Sequence, residues 1–182
     1  MRIISGIYKG RTLVMPQGIK PTQNRVRKAL FDILGELSGL TFLELFSGSG
    51  AVGFEALSYG AKELVLVENN RDCLEAINNN IEALGIKNCE IFPHNAEIAI
   101  RMLREKGRKF DIVFLDPPYH EDLPKKTLQT LGAYDILAAN GFLVIQHFKR
   151  DALPKESGDL VLIKESKYGS TLLSFYKKKE DA

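Results

Sequence analysis

An aspartate, two prolines and a tyrosine stand together at Asp116-Pro117-Pro118-Tyr119, directly after the apolar run Phe110-Asp111-Ile112-Val113-Phe114-Leu115. A short run rich in Val, Ile and Phe reads as a buried strand. Proline lacks the N–H that a strand ladder needs, so the two prolines end the strand and turn the chain out of its sheet. One carboxylate, two carbonyls on rigid rings and one aromatic face are thereby gathered at a strand end. The set suits a flat base or amide with an exocyclic NH₂. The ring stacks on the flat face, while the carboxylate and a proline carbonyl accept the two amine protons. A strand-ending turn with a surface tyrosine would use the same residues.

A second group of residues follows an earlier apolar run, at Glu44-Leu45-Phe46-Ser47-Gly48-Ser49-Gly50. A glycine turn between a strand and a helix lets backbone approach a ligand closely. Gly48, Gly50 and Gly53 formally satisfy the GxGxxG pattern of nucleotide sites. The next strand ends in Glu68-Asn69, about 20 residues on, where an acid can bind ribose hydroxyls. NAD and S-adenosylmethionine (SAM) both contain adenosine, so both fit this far. A third run ends in His94-Asn95-Ala96; Asn95 can read an adenine edge, since an amide both donates and accepts, or it can cap a helix. Glu44 lies four residues before Gly48 and can reach under the loop toward a cationic amino-acid moiety, or cap loop N–H groups, or both. Glu44 favours SAM over NAD, and so does the Asp-Pro-Pro-Tyr set, which offers an amine clamp but no hydride chemistry. The candidate cofactor residues are Glu44, Phe46, Ser47, Gly48, Ser49, Gly50, Glu68, Asn69, Asn95 and Ala96.

Charge is unevenly placed. Residues 1–31 hold Arg2, Lys9, Arg11, Lys20, Arg25, Arg27 and Lys28 and no acid, whereas the whole chain carries +2, so the remainder carries −5. A basic arm on a mildly acidic body suggests a phosphate-binding surface, with a solvated basic face as the alternative.

The elements that must position these groups follow from periodicity. Residues 3–14 read as a short hairpin around Gly6 and Gly10, followed by a loop at Pro16, Gly18 and Pro21. A helix then starts at a Thr22 or Asn24 cap, with a stripe at Val26, Leu30, Ile33, Leu34 and Leu37. Val26 in the stripe leaves Arg25 and Arg27 splayed to either side. From Thr41 onward strands alternate with helices. The strands are Thr41–Phe46, Glu63–Val67, Cys89–Phe92, Phe110–Leu115 and Gly141–Phe148; the helices are Ala51–Leu57, Asp72–Leu84, Glu97–Lys106 and Lys125–Leu131. Repeated βα units imply a parallel sheet covered on both faces. Leu160–Glu165 and Thr171–Tyr176 have no helix between them and add an antiparallel hairpin through Ser166 to Ser170. A frayed tail is expected from Lys177. The fold class is α/β: a doubly wound, Rossmann-like, mostly parallel seven-stranded sheet with a C-terminal antiparallel hairpin and a basic hairpin-helix extension. One domain, residues 1–182, is expected, comprising the extension at 1–39 and a core at 40–182. With 182 residues, 45% hydrophobic and 26% charged, the chain fits one soluble domain with a sizeable core. Cys73 and Cys89 have no metal-type spacing and indicate a reducing compartment. No leader-type or membrane-length apolar segment is evident, so a cytoplasmic location without membrane or metal is expected.

At the glycine and Asp-Pro-Pro-Tyr motifs the chain resembles the class I SAM-dependent methyltransferases. More narrowly, it resembles the bacterial small-subunit (16S) ribosomal RNA guanine-N2 methyltransferases of the RsmD type. The narrower likeness rests on Arg2-Ile3-Ile4-Ser5-Gly6, Gly10-Arg11, Pro21-Thr22, Arg25-Val26-Arg27 and Ala29-Leu30-Phe31, then on Phe46 to Gly50, Gly53, Glu55-Ala56-Leu57-Ser58 and Gly60-Ala61. Where that family commonly has an acid before the first Arg and a Glu after the second, and Arg before Pro-Thr, this chain has Asn24, Lys28 and Lys20. The segment is therefore more basic. The resemblance implies methyl transfer from SAM to the exocyclic N2 of a guanine in ribosomal RNA, within a small-subunit assembly particle, by a monomer. It assigns catalysis to Asp116, Pro117, Pro118 and Tyr119, and it agrees with the RNA-facing role that the charge of the arm suggests for Lys9, Arg11, Lys20, Thr22, Arg25, Arg27 and Lys28.

Other readings share some of these features. DNA adenine-N6 or cytosine-N4 methyltransferases use the same amine chemistry but generally carry a large target-recognition region. Protein glutamine methyltransferases typically have Asn where Asp116 stands. An NAD-linked oxidoreductase is supported by the glycines alone, and a non-catalytic RNA-binding module by the arm alone. Neither cysteine lies in the substrate motif, which argues against thiolate chemistry on a pyrimidine ring.

Overall fold

Three short, mainly apolar runs become the parallel strands of the first of two units. The computed structural model describes residues 1–19, 22–118 and 122–179, and the chain divides into Met1–Asn95 and Ala96–Ala182. In the first unit β1 (Thr41–Leu45), β2 (Glu63–Val67) and β3 (Cys89–Phe92) pair in the order β3-β2-β1, with Leu43 opposite Val65 and Val65 opposite Glu90. Phe42, Leu43, Leu45 and Leu64 to Val67 are at most 1% exposed. Strands buried on both faces need no alternation, and for that reason they read as unbroken apolar segments.

The helices of this unit are α1 (Asn24–Leu34), α2 (Ala51–Ser58) and α3 (Arg71–Leu84). α3 is amphipathic, capped by Asn70, whose side chain accepts from the Asp72 and Cys73 N–H groups, and ended by left-handed Gly85. α1 is capped at Gln23, not at Thr22 or Asn24, and Gln23 makes no side-chain capping bond. All eight residues of α2 are buried. A helix without a polar stripe must be covered on more than one side. It packs on β1 and β2, and the N-terminal arm covers it elsewhere.

The N-terminal extension is thus part of the first unit and is fastened to its helices. Residues 1–13 fold back on themselves through Ile3 N–H to Arg11 (3.0 Å), Gly10 N–H to Ile3 (2.9 Å) and Leu13 N–H to Met1 (2.8 Å). The turn then bonds to α2. Ile4 and Ser5 donate to the Glu55 carboxylate at 2.9–3.0 Å, Ile7 donates to the Ser58 carbonyl (2.9 Å), and Tyr8 donates to its hydroxyl (2.9 Å). At Gly6 a Cβ would lie 1.8 Å from the Ser58 carbonyl oxygen, so any larger residue would push the arm off the helix. α1 is tied to the same unit by Phe31, which stacks on Tyr59 at 4.8 Å.

In the second unit β4 (Phe110–Leu115), β5 (Leu137–Phe148), β6 (Glu156–Ser157), β7 (Leu160–Tyr168) and β8 (Thr171–Lys178) pair in the order β4-β5-β8-β7-β6. Only the β4–β5 pair is parallel. The helices are α4 (Ala96–Glu105) and α5 (Leu123–Ala133). Among the described residues eight strands are formed, not seven; the extra one, β6, is two residues long and gives no periodic signal. β5 begins before Gly141, at Leu137, because the β4–β5 register shifts between Phe110 and Ile112. The closing hairpin turns tightly through Gly169 and Ser170, and β8 continues through Lys177 and Lys178 instead of fraying. Among the described residues, no helix is long and apolar enough to cross a membrane and no acid, His or Cys cluster suits a metal ion.

Candidate functional site

The loop after β1 is wound through left-handed backbone at Phe46 (φ 59°), Gly48 (φ 55°) and Gly50 (φ 74°). For Phe46 that conformation costs on the order of 1–2 kcal/mol, so the surroundings must impose it. Ser47 does so from inside: its N–H donates to the Val67 carbonyl (3.0 Å), its hydroxyl lies 2.8 Å from the Glu44 carbonyl, and it accepts from Val67 N–H (3.1 Å). Two carboxylates complete the frame. Glu68, half-buried at the end of β2, accepts from Gly48 N–H (2.7 Å) and from the Asn69 and Asn70 N–H groups (2.8 and 2.9 Å). Glu44, 3% exposed, accepts from Gly53 N–H in the first turn of α2 (2.8 Å), an otherwise orphaned helix donor. Gly53 allows this closeness, since a Cβ there would meet Glu44 Oε2 at 2.8 Å and Leu64 and Leu66 at 2.7–2.8 Å.

The electrostatic consequence separates the two candidate cofactors. A pyrophosphate needs loop and helix N–H groups as its ligands. Here the Gly48 and Gly53 N–H groups already serve carboxylates, and two negative charges face the loop backbone. Such a loop repels a pyrophosphate and suits cationic groups and hydroxyl donors, which SAM has in its sulfonium, amine and ribose. Glu44 therefore takes the capping role, and Glu68 uses three of its roughly four acceptor positions within the protein.

Of the other cofactor candidates, Ser49 is buried, and its carbonyl accepts from Asn80 Nδ2 (3.2 Å). Asn69 is exposed, Asn95 is exposed immediately before α4, and Ala96 is buried as the first residue of that helix. Asn80, 1% exposed, is a residue that pattern reading missed. Its amide also accepts from Val14 N–H (2.7 Å) and donates to the Val14 carbonyl (3.1 Å), stitching the arm to the glycine loop. The signal was present as the one polar member of the α3 stripe Cys73, Ala76, Ile77, Asn80 and Leu84. The two thiols are poor nucleophiles. Burial, helped by Glu68 and Asp72, pushes Cys73 up to about 11; burial, helped by Glu44 and Glu90, pushes Cys89 up to about 12.

In the second unit, β4 delivers Asp116 half-buried, Pro117 buried and Pro118 exposed; Tyr119 lies outside the described residues. The Asp116 carboxylate accepts a 2.6 Å hydrogen bond through Oδ2 from Nε2 of Gln146. Gln146 is on β5 and 3% exposed. Sequence reading passed over it, because one amide in an apolar strand has no motif.

The arm's cations divide. Lys9, Arg11, Arg25 and Lys28 are exposed, Thr22 is half-buried, and Lys20 lies outside the described residues. Arg11 donates to the Ala83 carbonyl (2.5 Å) near the end of α3, and Lys28 pairs with Asp32 at 2.6 Å. Arg27 corrects the expectation of two splayed arginines: it is fully buried. It shares the inward face of α1 with Val26, Leu30 and Phe31, being one turn before Phe31. Its Nε lies 3.2 Å from Glu55 Oε2, close enough for charge attraction although off the hydrogen-bond axis, and its Nη2 donates to the Arg2 carbonyl (2.6 Å) and to Asn24 (3.2 Å). Burial draws the Arg27 pKa down and the Glu55 pKa up. Arg27 is a structural cation and presents nothing to a phosphate.

The family described as Conserved hypothetical protein 95 matches residues 1–177. The ribosomal RNA small subunit methyltransferase D of Escherichia coli (strain K12) is 32% identical over 181 residues, covering 98% of this chain and 90% of its own. The protein of the same name from Buchnera aphidicola subsp. Acyrthosiphon pisum is 34% identical over 154 residues, covering 83% and 80%. Among solved structures, the hypothetical protein TTHA0928 of Thermus thermophilus matches with a TM-score of 0.86 at 32% identity, covering 97% of this chain and 99% of that one. Since the arm, the glycine loop and the Asp-Pro-Pro motif all fall inside the matched residues, the chain belongs to the Conserved hypothetical protein 95 family of RsmD-type ribosomal RNA methyltransferases and has their Rossmann-like fold.

Proposed function

We propose that this protein transfers a methyl group from SAM to the exocyclic N2 of a guanine in small-subunit ribosomal RNA. The observation that carries this reading is the half-buried Asp116 at the end of β4, followed by the buried ring of Pro117. When bound, SAM supplies a methyl group already activated on a sulfonium. The frame of Glu44, Glu68 and the Phe46–Gly50 loop suits its cationic and hydroxyl groups, as argued above. The remaining difficulty is the amine, whose lone pair is delocalised into the base. Asp116 and the Pro117 carbonyl accept hydrogen bonds from the two amine hydrogens, which favours a pyramidal nitrogen with its lone pair exposed for attack. As the nitrogen takes the methyl group from the sulfonium, a neutral thioether is left and one amine proton passes to the Asp116 carboxylate. The Asp116 charge also stabilises the positive charge that grows on that nitrogen. The gain comes from positioning and electrostatics. Tyr119 stacks on the base, which must be unpaired or flipped out to be reached.

Lys9, Arg11, Arg25 and Lys28 serve as the phosphate-facing cations of the arm, with Lys20 and Thr22 beside them in sequence. A small-subunit assembly particle in the cytoplasm is the working substrate, and the protein acts as a monomer. The test is mass mapping of modified nucleotides in ribosomal RNA from cells with and without this gene. Purified protein and labelled SAM are then added to small-subunit assembly particles from the deficient cells. The expected result is one N2-methylguanine that is lost with the gene and restored in vitro. A methyl group on adenine or cytosine overturns the guanine assignment, and unmethylated RNA overturns the reading as a whole.

A further inference from the structure

We infer that Gln146 is the positioning residue of the amine clamp, fixing the plane of the Asp116 carboxylate without neutralising its charge; this rests on the reading of Asp116 given under Proposed function. Its place in the sheet comes first. β4 and β5 are parallel and in register up to Leu115 opposite Ile145, so Asp116 and Gln146 are the next residues along neighbouring strands. On its other edge Gln146 is opposite Leu173 of β8, which is fully buried. Val144 and Ile145 before it are fully buried too. An apolar side chain would therefore be at home at position 146.

The amide is poorly satisfied there as a structural residue. Its Nε2 donates to Asp116 at 2.6 Å, but its Oε1 is buried and has no hydrogen-bond partner among the described residues. A buried acceptor without a partner destabilises the fold relative to an apolar side chain of the same shape. Reversing the amide would set its oxygen against the carboxylate, so the observed orientation is the one that serves Asp116. A residue that costs stability while holding the clamp's carboxylate points to function.

The chemistry of the pair explains why an amide suits the position. A carboxylate turns about its side-chain bonds, and the short bond from Gln146 to Oδ2 restrains that turning. It has about four acceptor positions, so one donor does not exhaust it. Lys or Arg at 146 would hold Asp116 equally well but would cancel the negative charge that the amine nitrogen needs as it becomes cationic. A neutral donor holds and leaves the charge.

The test compares Gln146→Met, of similar length but without a donor, and Gln146→Leu with the wild type. The probe is the small-subunit assembly particle from cells lacking the gene, with labelled SAM under single-turnover conditions. Both variants are expected to lose roughly 10- to 100-fold in the rate of methyl transfer, as for one charge-assisted hydrogen bond. SAM affinity should stay within about twofold, and the thermal midpoint should be equal or higher. A merely structural role predicts the opposite stability change: a lowered midpoint with weakened SAM binding. That outcome, or a transfer rate within about twofold of wild type, overturns the inference alone. A wild-type protein that leaves the RNA unmethylated overturns the reading beneath it as well.

Discussion

Glu68 and Asp116 are both half-buried carboxylates at strand ends, but their partners give them different work. Glu68 holds three backbone N–H groups, from Gly48, Asn69 and Asn70. Glu68→Ala orphans all three donors and frees the glycine loop. It should weaken SAM binding by roughly 1–3 kcal/mol in calorimetry, the scale of a hydrogen bond to a charged group. Unchanged affinity would show that the loop keeps its shape without the acid. Asp116 instead accepts from the neutral amide of Gln146 and faces a substrate amine under the proposed chemistry. Its bonds to the amine strengthen in the transition state, so Asp116→Ala should abolish single-turnover methylation with little change in SAM affinity. Near-normal turnover would remove Asp116 from the clamp.

At the scale of elements, what was legible depended on how local its cause was. β2, β3 and β4 match their expected bounds residue for residue: β2 and β4 are mostly apolar runs buried on both faces, whereas the half-buried end strand β3 is delimited by Asn88 and Pro93. Glu44 and Gly53 were legible because they are partners nine residues apart across one strand–helix turn. β6 was not, since two residues carry no period. Gln146 and Asn80 were not, since each is explained by a partner on another element, Asp116 and Val14. The fastening of the arm was not legible because it is tertiary: Glu55, inside fully buried α2, holds both the Ile4 and Ser5 N–H groups and the buried Arg27. Glu55→Ala should therefore destabilise the protein by about 3–5 kcal/mol, the usual cost of stripping one partner from a buried ion pair. Urea unfolding is the measurement; a loss below about 1 kcal/mol would mean that the arm contributes little to this unit.

At the scale of the whole molecule, the seven cations of residues 1–31 give a strong charge asymmetry in sequence, but they do not all act outward. Arg27 is consumed inside, whereas Lys9, Arg11, Arg25 and Lys28 remain exposed. Exposed and buried cations must answer differently to salt. A cation that meets a phosphate releases a counterion, and for single strands each adds about −0.7 to the slope of log affinity against log salt. Arg25→Gln and Lys28→Gln should thus each flatten the slope for RNA binding by roughly that amount. The Lys28–Asp32 pair is no obstacle, since an exposed i,i+4 pair is worth well under about 1 kcal/mol. Arg27→Gln should leave the slope unchanged and instead lower the unfolding midpoint, because it leaves Glu55 buried without its cation. Filter binding of small-subunit ribosomal RNA across a salt series, paired with thermal melts of the same three variants, separates the two classes. A flattened slope for Arg27→Gln at unchanged stability would mean that the guanidinium leaves the interior to meet RNA.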